Sequence, residues 1–186
     1  MSTYGIALLL FSKNYISIFA SPTDKVNILG ITFIFTFLLP TINALILLKM
    51  QRINSLEMET ARERIIPYTG AMLYHVALFY LFYNAQFPTI FQILILGAAI
   101  SIFLTLLITI KWKISAHAVG IAGICGGLLG IIYRLQMDML FLFLAAILCS
   151  GIIGYARLKL NAHSPAQVYT GFVLGFFVEL LLMFFY

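Results

Sequence analysis

Apolar residues run almost without a break through six stretches, Ile28 to Met50, Tyr68 to Phe87, Phe91 to Ile110, His117 to Tyr133, Met139 to Tyr155 and Gln167 to Tyr186. Polar residues gather in the short gaps between them. Each stretch comes near the ~20 residues that an α-helix needs to cross hydrocarbon. The runs are continuous rather than alternating, which argues against a transmembrane β-barrel and for helices that satisfy their backbone groups internally. The pattern predicts an all-α, polytopic transmembrane helix bundle: a single domain, residues 1–186, with a six-helix core over 28–186. A seventh run, Tyr4 to Ala20, carries Lys13 and Asn14 in its middle. A charge facing lipid there costs roughly 2.5–3.5 kcal/mol. Residues 1–27 therefore read as an interfacial or short re-entrant helix, retained because neither the basic start nor the cleavage pattern of a signal peptide is present. Ser21-Pro22-Thr23-Asp24 reads as a helix start with Ser21 as N-cap, and Pro40 should kink the first span.

Composition agrees: 63% of the 186 residues are hydrophobic and 9% are charged. The net charge of +5 raises the question of nucleic acid, but the cations fall at helix ends. Anionic lipid heads are the better partner. Counted along the six spans, Lys49, Arg52, Arg62, Arg64, Lys111, Lys113, Arg157 and Lys159 share one face, against Lys13, Lys25 and Arg134 on the other. The positive-inside rule alone makes the crowded face cytoplasmic, whereas phosphate binding would draw cations to an active face on either side. Cys125 and Cys149 lie in apolar runs without metal-ligand spacing and read as packing residues.

Three polar clusters fall on the crowded face: Arg62-Glu63-Arg64, Lys111 to His117, and Arg157 with His163 and Gln167. His163, Gln167, Gly171 and Gly175 recur every four residues, and Gly120, Gly123, Gly127 and Gly130 follow His117 at spacings of three and four. Each histidine thus heads a face of small residues, of the kind that lets membrane helices approach closely. If the two faces pack together, the imidazoles meet at the membrane surface; otherwise the glycines serve other helix contacts.

The order and spacing of these clusters resemble the superfamily of type 2 phosphatidic acid phosphatases and vanadium haloperoxidases. Its third motif is Ser-Arg, five residues, His, three residues and Asp; here Ala156-Arg157, His163 and Gln167 keep the spacing. Its second motif, Pro-Ser-Gly-His, is matched by Ile114-Ser115-Ala116-His117. Its first, a Lys and an Arg-Pro pair, is matched most loosely by Arg62 to Pro67. The resemblance covers roughly Ile28 to Tyr186.

It implies an integral-membrane lipid phosphate phosphatase acting on a phosphatidate-like or polyprenyl-type substrate, with its active face extracytoplasmic in a bacterial inner membrane. It implies His163 as nucleophile, His117 as acid for the leaving alcohol, and Gln167 in the position of the Asp that orients the nucleophile. Arg157, Ser115, Lys111, Lys113, Arg62 and Arg64 would bind the phosphoryl oxygens. No cofactor and no metal are implied. This agrees with the chemistry, since phosphomonoester hydrolysis needs a nucleophile, an acid and oxyanion donors, and Arg suits bidentate phosphate contacts. Gln167 departs from the pattern: its amide oxygen can accept a ring N–H but brings no negative charge. An impaired homologue that binds or translocates lipids stays open beside the enzyme, while a vanadate haloperoxidase fits poorly in so apolar a chain.

Other polar residues read more plainly. His75 is expected to be a hydrogen-bonded structural histidine, and Arg134 and Asp138 a surface pair. Glu57, Glu59 and Glu63 interleave with Arg62 and Arg64 as an amphipathic segment or as part of the site. Glu179 lies about 24 Å along its helix from His163, too far to replace the missing Asp, and is either hydrogen-bonded between helices or at the far interface. Trp112 reads as an interface anchor.

Overall fold

The computed structural model describes residues 2–12, 21–58 and 60–185, and within them the chain is helical with short connections. A short helix α1 (Ser2–Phe11) precedes six helices long and apolar enough to cross a membrane: α2 (Pro22–Lys49), α3 (Ala61–Asn84), α4 (Thr89–Thr109), α5 (Ala116–Leu135), α6 (Leu140–Lys159) and α7 (Pro165–Phe185). The protein is an integral membrane helix bundle. Lys13 and Asn14, with Glu59, lie outside the described residues.

Local chemistry sets the helix starts, and it moves two of them ahead of the apolar runs. Ser21 caps α2 in a capping box with Asp24, so the helix begins at Pro22 instead of Ile28. Thr60 and Glu63 form the same reciprocal box at the start of α3, seven residues before Tyr68. These boxes satisfy backbone donors that the first turn leaves open, so polar first turns are helical despite their composition. Glu63 is thereby committed to a cap. Pro40 has no N–H to donate, and the helix answers one turn earlier by widening into a π-helical turn at Ile34–Leu38.

Burial separates inner from outer helices. About half of the apolar window is buried in α4 and α5 (50% and 56%), against 11% in α2 and α6, which present Phe37, Leu45, Phe141 and Leu148 outward to lipid. α1 packs into the bundle: Ile6, Leu9 and Leu10 are buried, and Ser2 lies beside His75, level with the middle of α3. Ser2 and the Ala71 carbonyl take both ring nitrogens of His75, at 3.1 and 2.8 Å, a structural histidine's environment.

The α5–α7 seam is the tightest in the bundle. A methyl group at Gly175 would run into the Val119 carbonyl, one at Gly126 into the Phe176 carbonyl, and one at Gly171 would lie 2.9 Å from the Ser115 carbonyl. Glycine is required here by close backbone approach. The seam is not the stripe its spacing predicts: Gly123, Gly126 and Gly130 face α7, while Gly127 faces Leu94 of α4.

Two expectations are not met. Arg134 donates to the Met183 carbonyl at 2.9 Å rather than to Asp138, because α7 ends beside it. Cys149 sits on the exposed face of α6, and only Cys125 is buried, with its sulfur 3.4 Å from Ser150 Oγ.

Candidate functional site

The seam brings the second and third motifs together at one end of the bundle. Ser115 caps α5 through its hydroxyl, and its backbone N–H donates across the seam to the Gln167 carbonyl at 3.3 Å. This link depends on Gly171, one turn further along α7, which lets the backbone of α7 lie against Ser115. Ser115 is fully buried at the joint, so its hydroxyl acts in the cap.

Arg64 supplies the third part. It comes from the first turn of α3 and is 5% exposed, with Nε donating to the Met58 carbonyl at 2.8 Å and Nη1 to the Ile114 carbonyl at 3.4 Å. Met58 holds a left-handed backbone (φ 50°), which turns its carbonyl toward the guanidinium. The Arg64 charge acts on both His117 and His163. Arg157 at the end of α6 acts on His117, and its half-buried side chain carries an Nε that has no acceptor among the described residues.

His163 lies in the α6–α7 connection, half-buried. Its Nδ1 is 3.2 Å from Gln167 Oε1, which also accepts the Ser164 backbone N–H at 3.0 Å. The amide hydrogen can only point at an oxygen, so the Gln167 orientation is set. The shared oxygen then accepts from the ring, which sets the tautomer with hydrogen on Nδ1. Burial holds the ring below the ordinary histidine range, and the Arg64 charge acts in the same direction. The Gln167 bond opposes it; the Lys113 ammonium lowers it further, and the Lys113 backbone carbonyl raises it. The net direction favours the neutral, nucleophilic imidazole near neutral pH. His117, on the first turn of α5, is exposed and open to a head group or to water.

Not every candidate joins this group. Arg62 is exposed and sits about 200° around α3 from Arg64, on the opposite face, so it is not part of the site. Lys111 is exposed, and no contact ties it to the histidines. Among the described residues no three His, Cys, Asp or Glu side chains lie close enough to hold a metal. What spacing did not reveal is the role of the backbone: the Met58, Ile114 and Gln167 carbonyls build the scaffold, and carbonyls leave no mark in a sequence.

The resulting cluster is rich in cationic donors. Two guanidiniums, two imidazoles and a lysine converge from four helix ends, with one buried donor unspent. No family model, curated protein or solved structure matches this chain, so its chemistry rests on this geometry alone.

Proposed function

We propose that the protein is a membrane-embedded phosphatase of lipid phosphates, related to the type 2 phosphatidic acid phosphatases, and that it works through a phosphohistidine. The observation that carries this reading is the convergence of Arg64, His117, Arg157, His163 and Gln167 at one membrane face, with Arg157 Nε buried and lacking an acceptor. Phosphoryl oxygens fit that need, because guanidiniums offer paired, charged donors to them.

In this mechanism His163 Nε2 attacks phosphorus while the ester P–O bond breaks. Gln167 holds Nδ1–H through the attack. His117 gives its proton to the departing alkoxide and then takes one from the water that cleaves the P–N bond, releasing inorganic phosphate and free His163. Arg64 and Arg157 stabilise the charge spread over the equatorial oxygens. No step needs a metal. The substrate is a lipid monophosphate or diphosphate whose tails stay in the bilayer. By the same kinship the active face is extracytoplasmic in a bacterial inner membrane, with the cations there serving phosphate binding.

One observation favours a second reading, a lipid-phosphate binder or translocator without turnover: Gln167 places a neutral amide where an acid would stabilise the imidazolium. Both readings are separated by phosphate release from purified protein in mixed micelles, offered phosphatidate and polyprenyl mono- and diphosphate. Release that disappears in His163→Ala supports the enzyme. Lipid binding without release above that variant supports the binder and rejects the enzyme for those substrates.

A further inference from the structure

Inside the bundle lies a cavity of about 250 Å³ between α1, α2, α3, α4, α5 and α7, running from Ala116 at the start of α5 to Glu179. Its wall is mostly apolar, yet Glu179 of α7 projects into it, 5% exposed, against Gly97 of α4 and Gly123 of α5. A side chain at Gly97 would occupy the carboxyl's place, and one at Gly123 would press on Glu179 Cγ at 3.3 Å. Glu179 Oε2 has no hydrogen-bond partner among the described residues. An ionised carboxylate in such surroundings needs a counter-charge, and an unpaired one costs several kcal/mol. The other titratable groups lining the cavity are His75, held by Ser2 and Ala71, and Tyr68, one turn along α3 from Arg64. Arg134, the cation nearest along α7, is bound to the Met183 carbonyl one turn away. Among the described residues none of these groups hydrogen-bonds the Glu179 carboxyl.

The second observation is on α4. Ser101, Thr105 and Thr109 follow Gly97 at intervals of four, so they form one row, and all three hydroxyls are buried without a partner. Hydroxyls inside membrane helices ordinarily bond the carbonyl four residues back. Thr32, Thr69 and Ser150 of this protein do so at 2.8–2.9 Å, and the α4 row does not. The row climbs about 18 Å from the level of Glu179 to the face that carries Lys113 and Ser115, with about 6 Å between neighbouring hydroxyls. Ser101 and Thr105 line the cavity, which has room for several waters to link them, and Thr109 continues the row toward the face.

We infer that Glu179 is an intramembrane proton-exchange site, connected to the polar face through water held by Ser101, Thr105 and Thr109. The carboxyl takes up or releases a proton inside the bilayer, and the row carries it as successive hydroxyl and water hydrogen bonds reverse. The inference stands whether or not the face above hydrolyses phosphate.

In proteoliposomes, dicyclohexylcarbodiimide, an apolar reagent for protonated carboxyls, is expected to label Glu179, as mapped by peptide mass spectrometry, and to label it less as pH rises. Infrared spectra should contain a protonated-carboxyl stretch that Glu179→Gln removes. Its shift on transfer to deuterium oxide should slow about tenfold in Ser101→Ala/Thr105→Val, which keeps Glu179 but breaks the row. Labelling of Glu179 that ignores pH, a stretch that survives Glu179→Gln, or exchange equally fast in the double variant overturns the inference. Should Glu179→Gln not fold, labelling and exchange in the unsubstituted acid still decide.

Discussion

Two sets of polar side chains in this bundle have hydrogen bonds left to make, and they differ in sign and in depth. At the membrane face Arg64, Arg157, His117 and His163 present donors and positive charge, held by backbone links across three helices. In the middle Glu179 and the Ser101–Thr105–Thr109 row present a carboxyl and hydroxyls with no cation against them. Water and head groups can reach the first set at little cost, so its surplus donors fit a visiting anion. The second is reached only through the cavity, and each group left unpaired there costs ~1–3 kcal/mol or more. The face gathers cationic donors, and the interior cavity holds a carboxyl and hydroxyls.

The comparison can be broken most severely at Arg64, which lies where the α3, α5 and α7 contributions meet. Arg64→Ala is expected to lower kcat/KM for a lipid phosphate by about 10²–10³-fold, through lost charge stabilisation and a loosened Ile114 loop. It should also move the acid limb of the pH–rate profile upward. The neutral His163 ring is the reactive form, so activity falls as pH drops through its pKa, which burial and Arg64 hold below 6.5. Removing a nearby positive charge makes the imidazolium easier to form.

The seam that joins the motifs comes next. Gly175→Ala is expected to destabilise the protein by about 1–3 kcal/mol, read as a lower thermal midpoint in detergent, because its methyl group has only the Val119 carbonyl to displace. Gly30→Ala, where nothing lies within 4 Å, should be neutral or stabilising by up to about 1 kcal/mol. Equal effects at the two positions would remove the seam from the account.

Gln167→Asp sharpens the contrast from the other side. A carboxylate on His163 Nδ1 stabilises the imidazolium, so turnover should rise on the order of tenfold and the acid limb should move to higher pH. Smallest of all is Arg62→Ala, expected to change kcat/KM by less than about twofold, since Arg62 lies on the opposite face of α3.

Much of this was legible in the chain. Apolar runs gave the six spans, and counting spans placed the three polar clusters at one face, because membrane helices alternate direction. The Arg157–His163–Gln167 spacing located the hydrogen bond that fixes the His163 tautomer. What escaped depends on contacts between distant segments. Arg62 and Arg64 look alike in the sequence, and the Met58 and Ile114 carbonyls, the latter 50 residues away, decide which of them turns inward. The runs begin late because hydrophobicity does not register the Ser21 and Thr60 caps. Glu179 looked misplaced along a single helix; its setting becomes intelligible once Gly97 and Gly123, from two other helices, make room for it.

The central claim is that His163 accepts a phosphoryl group. Protein mixed with radiolabelled phosphatidate or polyprenyl diphosphate, quenched rapidly at alkaline pH to preserve P–N bonds and digested for mass spectrometry, tests it most directly. The account predicts label on the peptide containing His163, increased when His117→Ala slows hydrolysis of the intermediate and absent in His163→Ala. Phosphate release that continues in His163→Ala, with no phosphohistidine trapped in the unsubstituted protein, would contradict it.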